Sequence, residues 1–262
     1  HLRIRILRGE EGQDLRPAPL QLLRRVHGEL GLVRRVHRLD GELSADHWLI
    51  DDHRLKNGDA LLPGTGYIEL IRAALEEAGQ PGPWRMTNLV FEQPLFVADG
   101  ATRRFSVSLQ GNAGHWQAEV RAADEDGDVL CARAAVAAAP AARPEDVPPC
   151  TFESSGDDRV ESAGASGFLK TRQEDHLRFG PRWHVLRQIR MNPSGASARL
   201  SLAPDHAADL QTFGLHPGLL DIATGYAMDL IPGYADHEVA ESLWVPLSYG
   251  RIDYYAPLTP EI

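Results

Sequence analysis

The feature that most constrains the fold is a change in hydrophobic period within the first half of the chain. Apolar residues recur at helical spacing from about Thr65 to Ala78, and Gly79 ends the pattern. Glu69 and Arg72 fall on the opposite side of this helix, which we expect to be its polar side. The period then becomes two, typical of strands with one buried face, in four segments: Met86 to Leu95, Arg104 to Gln110, His115 to Arg121 and Val129 to Val136. A helix followed by an antiparallel meander predicts an α+β unit.

The second half of the chain weakly repeats this arrangement. Pro63-Gly64 and Pro217-Gly218 each precede a helical pattern, and superimposing the two pairs places Ile68 over Ile222. The second helix is predicted over residues 215–231. The remaining elements of this half are a hairpin and a final strand, predicted at residues 186–191, 196–202 and 243–255. We therefore expect two similar units side by side.

A shift in composition divides the two units. Residues 137–150 are rich in alanine and proline and show no hydrophobic period, which is typical of a linker. The predicted domains are an N-terminal unit at residues 1–136, which includes an extension at 1–31, and a C-terminal unit at 151–262. Leu2 to Ile6 alternates apolar and basic residues and predicts an edge strand in the extension.

The composition argues against several classes of protein. A formal net charge of −10 disfavours nucleic acid as the main partner, and no apolar run approaches the roughly 20 residues of a membrane-spanning helix. The two cysteines, Cys131 and Cys150, form no Cys-x-x-Cys pair, so a reducing cytoplasmic location is expected. Neither a His-Glu-x-x-His motif nor paired Cys/His spacing occurs, so we predict no metal site.

The stretch from His47 to Gly64 carries the strongest chemical signal. Trp48 to Ile50 predicts the end of a buried strand, His53 follows it, Gly58 permits a turn with positive φ, and Pro63 precedes a helix. A histidine suits proton transfer because its unperturbed pKa lies near neutrality. The alternative is a histidine that only hydrogen-bonds a backbone carbonyl in the turn.

Four segments, in the same order, resemble the dehydratase domains of modular type I polyketide synthases. His53, Gly58 and Pro63 resemble that family's His-x-x-x-Gly-x-x-x-x-Pro signature, with four residues instead of three between His53 and Gly58. Leu215-His216-Pro217-Gly218-Leu219-Leu220-Asp221 resembles the segment that carries the family's catalytic aspartate, which is Asp221 here.

Two further segments and one departure complete the resemblance. Phe179-Gly180-Pro181-Arg182-Trp183 resembles the family's Tyr-Gly-Pro-x-Phe motif, with Phe179 in place of the tyrosine. Val245-Pro246-Leu247-Ser248-Tyr249-Gly250 resembles its Leu-Pro-x-Ser-x-x-Gly segment. Gly225 stands four residues after Asp221, where the family usually has glutamine or histidine. The resemblance covers most of the chain, from about residue 32 to residue 256.

The resemblance implies a double hotdog, an α+β fold in which two antiparallel sheets each wrap around a long central helix. Since the family continues with further strands after the segment that ends near Tyr255, the second unit is expected to lack its last strands. The implied substrate is a β-hydroxyacyl thioester on the phosphopantetheine of an acyl carrier protein, which loses water without a metal or redox cofactor. The implied partners are this carrier, neighbouring synthase domains and a second copy of the chain in a homodimer, with no nucleic acid and no membrane.

The resemblance also assigns roles to residues, with His53 as the base and Asp221 as the acid. The start of a helix near Asp221 favours the ionised carboxylate, whereas an apolar tunnel favours the protonated form, and the sequence leaves both open. The residues expected to bind substrate or to shape the tunnel are Gly58, Pro63, Phe179, Gly180, Pro181, His216, Pro217 and Gly225.

Two alternative functions follow from the departures. Gly225, Phe179 and the longer turn after His53 favour a dehydratase-like domain with changed chemistry, either a cyclase that adds an internal hydroxyl or a double-bond isomerase. An inactive scaffold that only binds acyl carrier protein is the other alternative. The presence of both His53 and Asp221 favours dehydration.

Overall fold

The structure is a computed structural model that describes residues 23–30, 34–112, 114–139, 152–165, 167–234 and 243–262. Its α-helices are α1 (Trp48–Asp51), α2 (Gly64–Glu77) and α3 (Pro217–Gly225). Short 3₁₀ helices lie at Arg172–Asp175, Pro181–Trp183, Pro204–Gln211 and Met228–Leu230. The strands within these ranges are β1 (Leu23–Leu30), β2 (Arg34–Ser44), β3 (His53–Leu55), β4 (Ala60–Leu61), β5 (Trp84–Phe91), β6 (Phe96–Val97), β7 (Thr102–Asn112), β8 (His115–Ala122), β9 (Val129–Ala138), β10 (Arg159–Ser162), β11 (Leu177–Phe179), β12 (Leu186–Asn192), β13 (Gly195–Leu200) and β14 (Ser248–Tyr254).

The largest sheet is antiparallel and has seven strands in the order β1-β2-β7-β8-β9-β5-β14. Its last strand comes from the second half of the chain, because β14 pairs with β5 and places Ile252 opposite Met86. Two smaller sheets have the orders β10-β12-β13 and β11-β3-β4-β6. The latter also joins the two halves, since β11 pairs with β3. Backbone hydrogen bonds therefore connect the halves at two places.

Helix α2 is buried along most of its length. The predicted helix is confirmed, and Gly79 follows it with φ +76°. The expected polar side is wrong at Glu69 and Arg72, whose side chains are 1% and 6% exposed. Arg72 Nη2 donates to Glu69 Oε1 at 2.8 Å, and the Leu215 N–H donates to Glu69 Oε2 at 2.8 Å. A segment of the second half therefore contacts this side of the helix, which the periodicity of the first half could not indicate.

The second half follows the predicted order with shorter elements. The hairpin of β12 and β13 is confirmed, but α3 ends at Gly225 and β14 begins only at Ser248. The final residues lie along β13, where Leu200 and Ile262 exchange backbone hydrogen bonds of 2.8 and 3.1 Å. The expected lack of further closing strands stays a prediction.

Several predictions fall on residues outside the described ranges. These are the edge strand at Leu2 to Ile6, most of the extension at 1–31 and most of the linker at 137–150. Strand β1 occupies the end of that extension, and β9 runs through Ala138. The domain bounds therefore stay predictions. Among the residues that are described, no helix has the length and apolar character needed to cross a bilayer.

Candidate active site

A one-turn helix leads to the candidate histidine. The predicted strand end at Trp48 to Ile50 is wrong, because these residues form α1. Three apolar residues cannot distinguish a strand from a helix, and His47 Nδ1 caps the helix by accepting a hydrogen bond from the Leu49 N–H at 3.2 Å. His53 follows as the first residue of β3, and 5% of its surface is exposed.

Arg54 holds the turn that follows His53. Its side chain is 6% exposed and donates hydrogen bonds to the carbonyl oxygens of Gly58 at 2.8 Å and Ala45 at 3.1 Å. It also pairs with the Asp51 carboxylate at 2.8 Å. Gly58 has φ +105°, which glycine adopts without strain. The additional residue between His53 and Gly58 thus lies in an anchored turn. The sequence analysis missed Arg54, because arginine is ordinarily a surface residue.

A strand from the second half meets His53. Phe179 lies opposite His53 in the pair of β11 and β3, and the two rings stack with centroids 5.7 Å apart. The Gly180 N–H donates to the Asp52 carbonyl at 2.9 Å, and a Cβ on Gly180 would lie 1.9 Å from Asp52 Oδ1. Only glycine permits this approach without rearrangement. The next residues, Pro181–Trp183, form a 3₁₀ helix beside the histidine.

Helix α3 places Asp221 near His53. The start of α3 packs closely on the 3₁₀ helix, since a Cβ on Gly218 would lie 2.4 Å from the Arg182 carbonyl oxygen. The Trp183 Nε1–H donates to Asp221 Oδ2 at 2.8 Å, and the same oxygen lies 3.8 Å from His53 Nε2. The structure therefore brings together two buried titratable residues from different halves of the chain. The hydrogen bond of Trp183 was not predicted, although the motif that contains this residue was identified.

The hydrogen bond of His53 defines which ring nitrogen carries a proton. Nδ1 lies 3.0 Å from the Leu61 carbonyl oxygen. A carbonyl oxygen only accepts, so Nδ1 carries the proton and Nε2 of the neutral ring has a free lone pair facing Asp221. Burial lowers the pKa of His53 because it penalises the imidazolium, and attraction to Asp221 opposes this shift. The neutral ring can accept a proton.

Burial also governs the protonation of Asp221. It raises the pKa of this carboxyl because a buried carboxylate loses hydration, while His53 and the hydrogen bond from Trp183 oppose the shift. Asp221 is the fifth residue of α3 and lies beyond the first turn, where the helix dipole acts most strongly. Burial therefore raises the pKa of Asp221 at a position where the dipole is weak, which favours the protonated form that an acid requires. Oδ2 accepts the hydrogen bond from Trp183, which holds the carboxyl in a fixed orientation.

The other predicted site residues surround this pair. His216 is fully buried, stacks on Trp48 with ring centroids 5.2 Å apart, and caps α3 by accepting a hydrogen bond from the Leu219 N–H at 3.4 Å. Pro63 precedes α2, and Pro217 begins α3. These contacts show how the residues support the two helix starts, and their contacts with a substrate stay predictions.

Tyr249 and Gly225 complete the surroundings of Asp221. Tyr249 on β14 is largely buried, which raises the pKa of its phenol, and Asp221 adds to that shift. Gly225 ends α3 and lies against the side chain of Gln173. Neither Tyr249 nor Gln173 was singled out by the sequence analysis as a site residue. In the described part of the chain, no three His, Cys, Asp or Glu side chains cluster as a metal site requires.

Known families and proteins are similar to this chain over most of its length. A family model described as polyketide synthase dehydratase domain matches residues 22–123, and one described as polyketide synthase dehydratase N-terminal domain matches residues 153–262. Polyketide synthase PksN of Bacillus subtilis is 25% identical over 86% of this chain and 4% of its own length. The spectinabilin polyketide synthase system protein NorA' of Streptomyces orinoci is 32% identical over 83% of this chain and 6% of its own length. The chain thus spans a small part of these relatives.

Solved structures share the fold. The dehydratase domain of RzxB from Pseudomonas fluorescens has a TM-score of 0.69 at 26% identity and covers 92% of this chain and 84% of its own. The dehydratase domain from the terminal module of the rifamycin polyketide synthase has a TM-score of 0.65 at 23% identity and covers 92% of this chain and 83% of its own. The prediction of an α+β double hotdog is confirmed.

Proposed function

Because this chain belongs to the polyketide synthase dehydratase family, whose members are hydro-lyases, we propose that it converts a β-hydroxyacyl thioester to an α,β-unsaturated thioester by removing water. The observation that carries this proposal is the buried pair of His53 Nε2 and Asp221 Oδ2, which are 3.8 Å apart. The substrate arrives on the phosphopantetheine arm of an acyl carrier protein, and neighbouring synthase domains supply it and use the product. A homodimer and a cytoplasmic location remain expectations from the sequence.

The elimination needs a base at the α-carbon and an acid at the β-hydroxyl. His53 Nε2 takes the α-proton, and the electron pair of that C–H bond forms the double bond as the bond between the β-carbon and oxygen breaks. Asp221 gives its proton to the departing oxygen, and water leaves. A proton transfer from the imidazolium to the Asp221 carboxylate then restores the starting state. Each positioned proton transfer contributes about 10²–10⁴ in rate.

Neighbouring side chains hold the pair in this geometry. The Leu61 carbonyl selects the tautomer of His53, and Trp183 orients the Asp221 carboxyl. The rings of Phe179 and Trp183 lie beside the imidazole, with centroids 5.7 and 5.6 Å from it. These aromatic walls keep bulk water from the pair, which favours the neutral histidine and the protonated aspartate.

The direct test is incubation of the native chain with the pantetheine thioester of β-hydroxybutyrate. We expect loss of one water and a product that co-elutes with the α,β-unsaturated thioester in chromatography coupled to mass spectrometry. The thioester incubated without protein is the control for spontaneous elimination.

Other products would replace this proposal with one of the alternatives. A product of the same mass as the unsaturated thioester, but with a ring or a displaced double bond, would indicate a cyclase or an isomerase. No water loss from this thioester or from several substrates on acyl carrier protein would favour an inactive scaffold that binds the carrier.

The shifted pKa values predict the pH dependence of kcat/KM. Activity is lost as pH falls through the pKa of His53, because the imidazolium cannot accept a proton. Burial lowers this pKa, so the acidic limb should lie below the ordinary histidine value of about 6.5. Activity is also lost as pH rises through the pKa of Asp221, and burial places this limb above the ordinary aspartate value of about 3.9. Measuring kcat/KM from pH 4 to pH 10 checks both limbs, because this range extends about 2 pH units or more on each side of the ordinary histidine pKa. An acidic midpoint at or above the ordinary histidine value would contradict the proposed environment of His53.

A further inference from the structure

Gly225 leaves room at the end of α3 for a side chain from another element. The amide group of Gln173 occupies this room, since a Cβ on Gly225 would lie 2.6 Å from Gln173 Oε1 and 3.1 Å from its Nε2. Gln173 belongs to the 3₁₀ helix Arg172–Asp175, and a hydrogen bond from the Thr171 N–H to Glu174 Oε2 at 2.9 Å fixes the start of that helix. The amide is therefore placed by a defined turn and by the absence of a side chain at Gly225.

Among the described residues, the side-chain oxygen of Gln173 has no hydrogen-bond partner. This oxygen is buried, and nothing in the described ranges donates to it. A buried amide oxygen without a partner is unfavourable, because it has lost its water and gained no donor. Such an atom beside a reaction centre indicates a place for a donor from a ligand.

The amide lies on the same side of α3 as the carboxyl of Asp221. Gly225 follows Asp221 by four residues, and side chains at this spacing project from one helix face with Cβ atoms about 5–6 Å apart. Since the Gln173 amide fills the Gly225 position, one oxygen atom placed between the two groups can contact both the amide and the carboxyl.

A cavity of about 120 Å³ lies next to Gly225 and to Thr171 and Arg172, the two residues that precede Gln173. Its lining includes the apolar or small residues Ile189, Met191, Gly225 and Tyr226. Five charged side chains also line it: Arg159, Glu161, Lys170, Arg172 and Asp229. The apolar part of this lining can contact carbon atoms of a substrate whose polar group lies at the amide.

We propose that Gln173 Oε1 accepts a hydrogen bond from the β-hydroxyl of the substrate and thereby turns a lone pair of that oxygen toward the proton on Asp221. A hydroxyl has one donor and two acceptor positions, so it can donate to Gln173 while it accepts from Asp221. This assignment rests on the proposed dehydration and adds to it a substrate-binding residue from a different element of the second half.

The test replaces the amide without removing its volume. Gln173→Met fills similar space but cannot accept this hydrogen bond, and we expect kcat/KM for the β-hydroxybutyryl pantetheine thioester to fall about tenfold, the scale of one hydrogen bond. The loss should lie mainly in kcat, and the midpoint of thermal unfolding should not fall, because the variant removes a buried oxygen without a partner. Gln117→Met, at an exposed position of β8, is the matched control and should keep the native rate.

A second variant moves the amide to the helix. In the double variant Gln173→Ala with Gly225→Gln, the new side chain projects from the position that the Gln173 amide occupies, and we expect most of the native rate to return relative to Gln173→Ala alone. A native rate for Gln173→Met would overturn the proposal, as would a folded double variant that stays as slow as Gln173→Ala. Failure of the proposed function would differ, because the native chain itself would then give no unsaturated product.

Discussion

Replacement of His53 by phenylalanine should lower kcat/KM for water loss by about 10²–10⁴, the contribution of one positioned base. The variant His53→Phe keeps an aromatic ring next to Phe179, whose ring stacks on that of His53 at 5.7 Å, so the site should remain packed. It removes Nε2, the atom that faces Asp221 at 3.8 Å. The measurement is the initial rate of formation of the unsaturated thioester, with His115→Ala, at an exposed position of β8, as the control.

The acid should show a loss of the same order. Asp221→Asn keeps an oxygen that can accept the hydrogen bond from Trp183 Nε1, now 2.8 Å from Oδ2, but it has no carboxyl proton to donate. We expect kcat/KM to fall by about 10²–10⁴. Because the two groups act in one elimination, the double variant should be little slower than either single variant. If either folded single variant kept more than about a tenth of the native rate, which is well outside the range for general acid–base catalysis, the assignment of that residue would be wrong.

The second large effect concerns stability rather than rate. Glu69→Leu removes the carboxylate that receives two hydrogen bonds of 2.8 Å from Arg72 and a third of 2.8 Å from the Leu215 N–H. Among the residues that the structure describes, Arg72, 6% exposed, then keeps only the half-exposed Glu76 as an ionic partner. Breaking a buried ion pair by removing one partner typically costs about 3–5 kcal/mol. We expect the free energy of unfolding at neutral pH, measured with urea, to fall by that amount.

A double-mutant cycle separates the ion pair from simple packing. Glu69→Leu combined with Arg72→Leu should be more stable than Glu69→Leu alone, because no buried charge remains without a partner. Glu76→Ala is the matched control, since this residue also bonds Arg72 but its side chain is 46% exposed, and its loss should cost about 1 kcal/mol or less. A single Glu69→Leu variant as stable as Glu76→Ala would contradict the role assigned to the buried pair.

Local periodicity was sufficient where the pattern of a segment depends on its own backbone geometry. The helix α2 and the strands β7, β8 and β9 were predicted within a few residues, because the spacing of apolar side chains follows directly from 3.6 residues per helical turn or two per strand repeat. Predictions for short segments were less accurate, because a few residues do not span a full period of the hydrophobic pattern. Trp48 to Ile50 is too short for its period to show, and the helix α1 depends on the cap supplied by His47.

Some features of the candidate site could also be predicted from the sequence, and others could not. The motifs indicated His53 and Asp221, and they contained Trp183, because Gly-Pro and His-Pro segments are recognisable in the chain itself. The distance of 3.8 Å between the two titratable groups could not be predicted, because it depends on the packing of α3 against the 3₁₀ helix at Pro181–Trp183. The contact between the Gln173 side chain and Gly225 could not be predicted from the sequence, because a glutamine in a polar segment is ordinarily exposed.

The amino-acid sequence was enough to establish the α+β class and the order of the main elements, since these follow from local spacing and from recognisable motifs. It also indicated His53 and Asp221 as the candidate pair for acid–base chemistry. Only the tertiary structure determined which faces of the helices and strands are buried and which side chains are in contact. Glu69 and Arg72 are buried because a segment of the second half contacts them, and β14 completes a sheet begun in the first half. His53 and Asp221 acquire shifted pKa values because both lie in a site closed by residues distant in the chain. Burial and proximity are properties of long-range contacts, and no local pattern of residues encodes them alone.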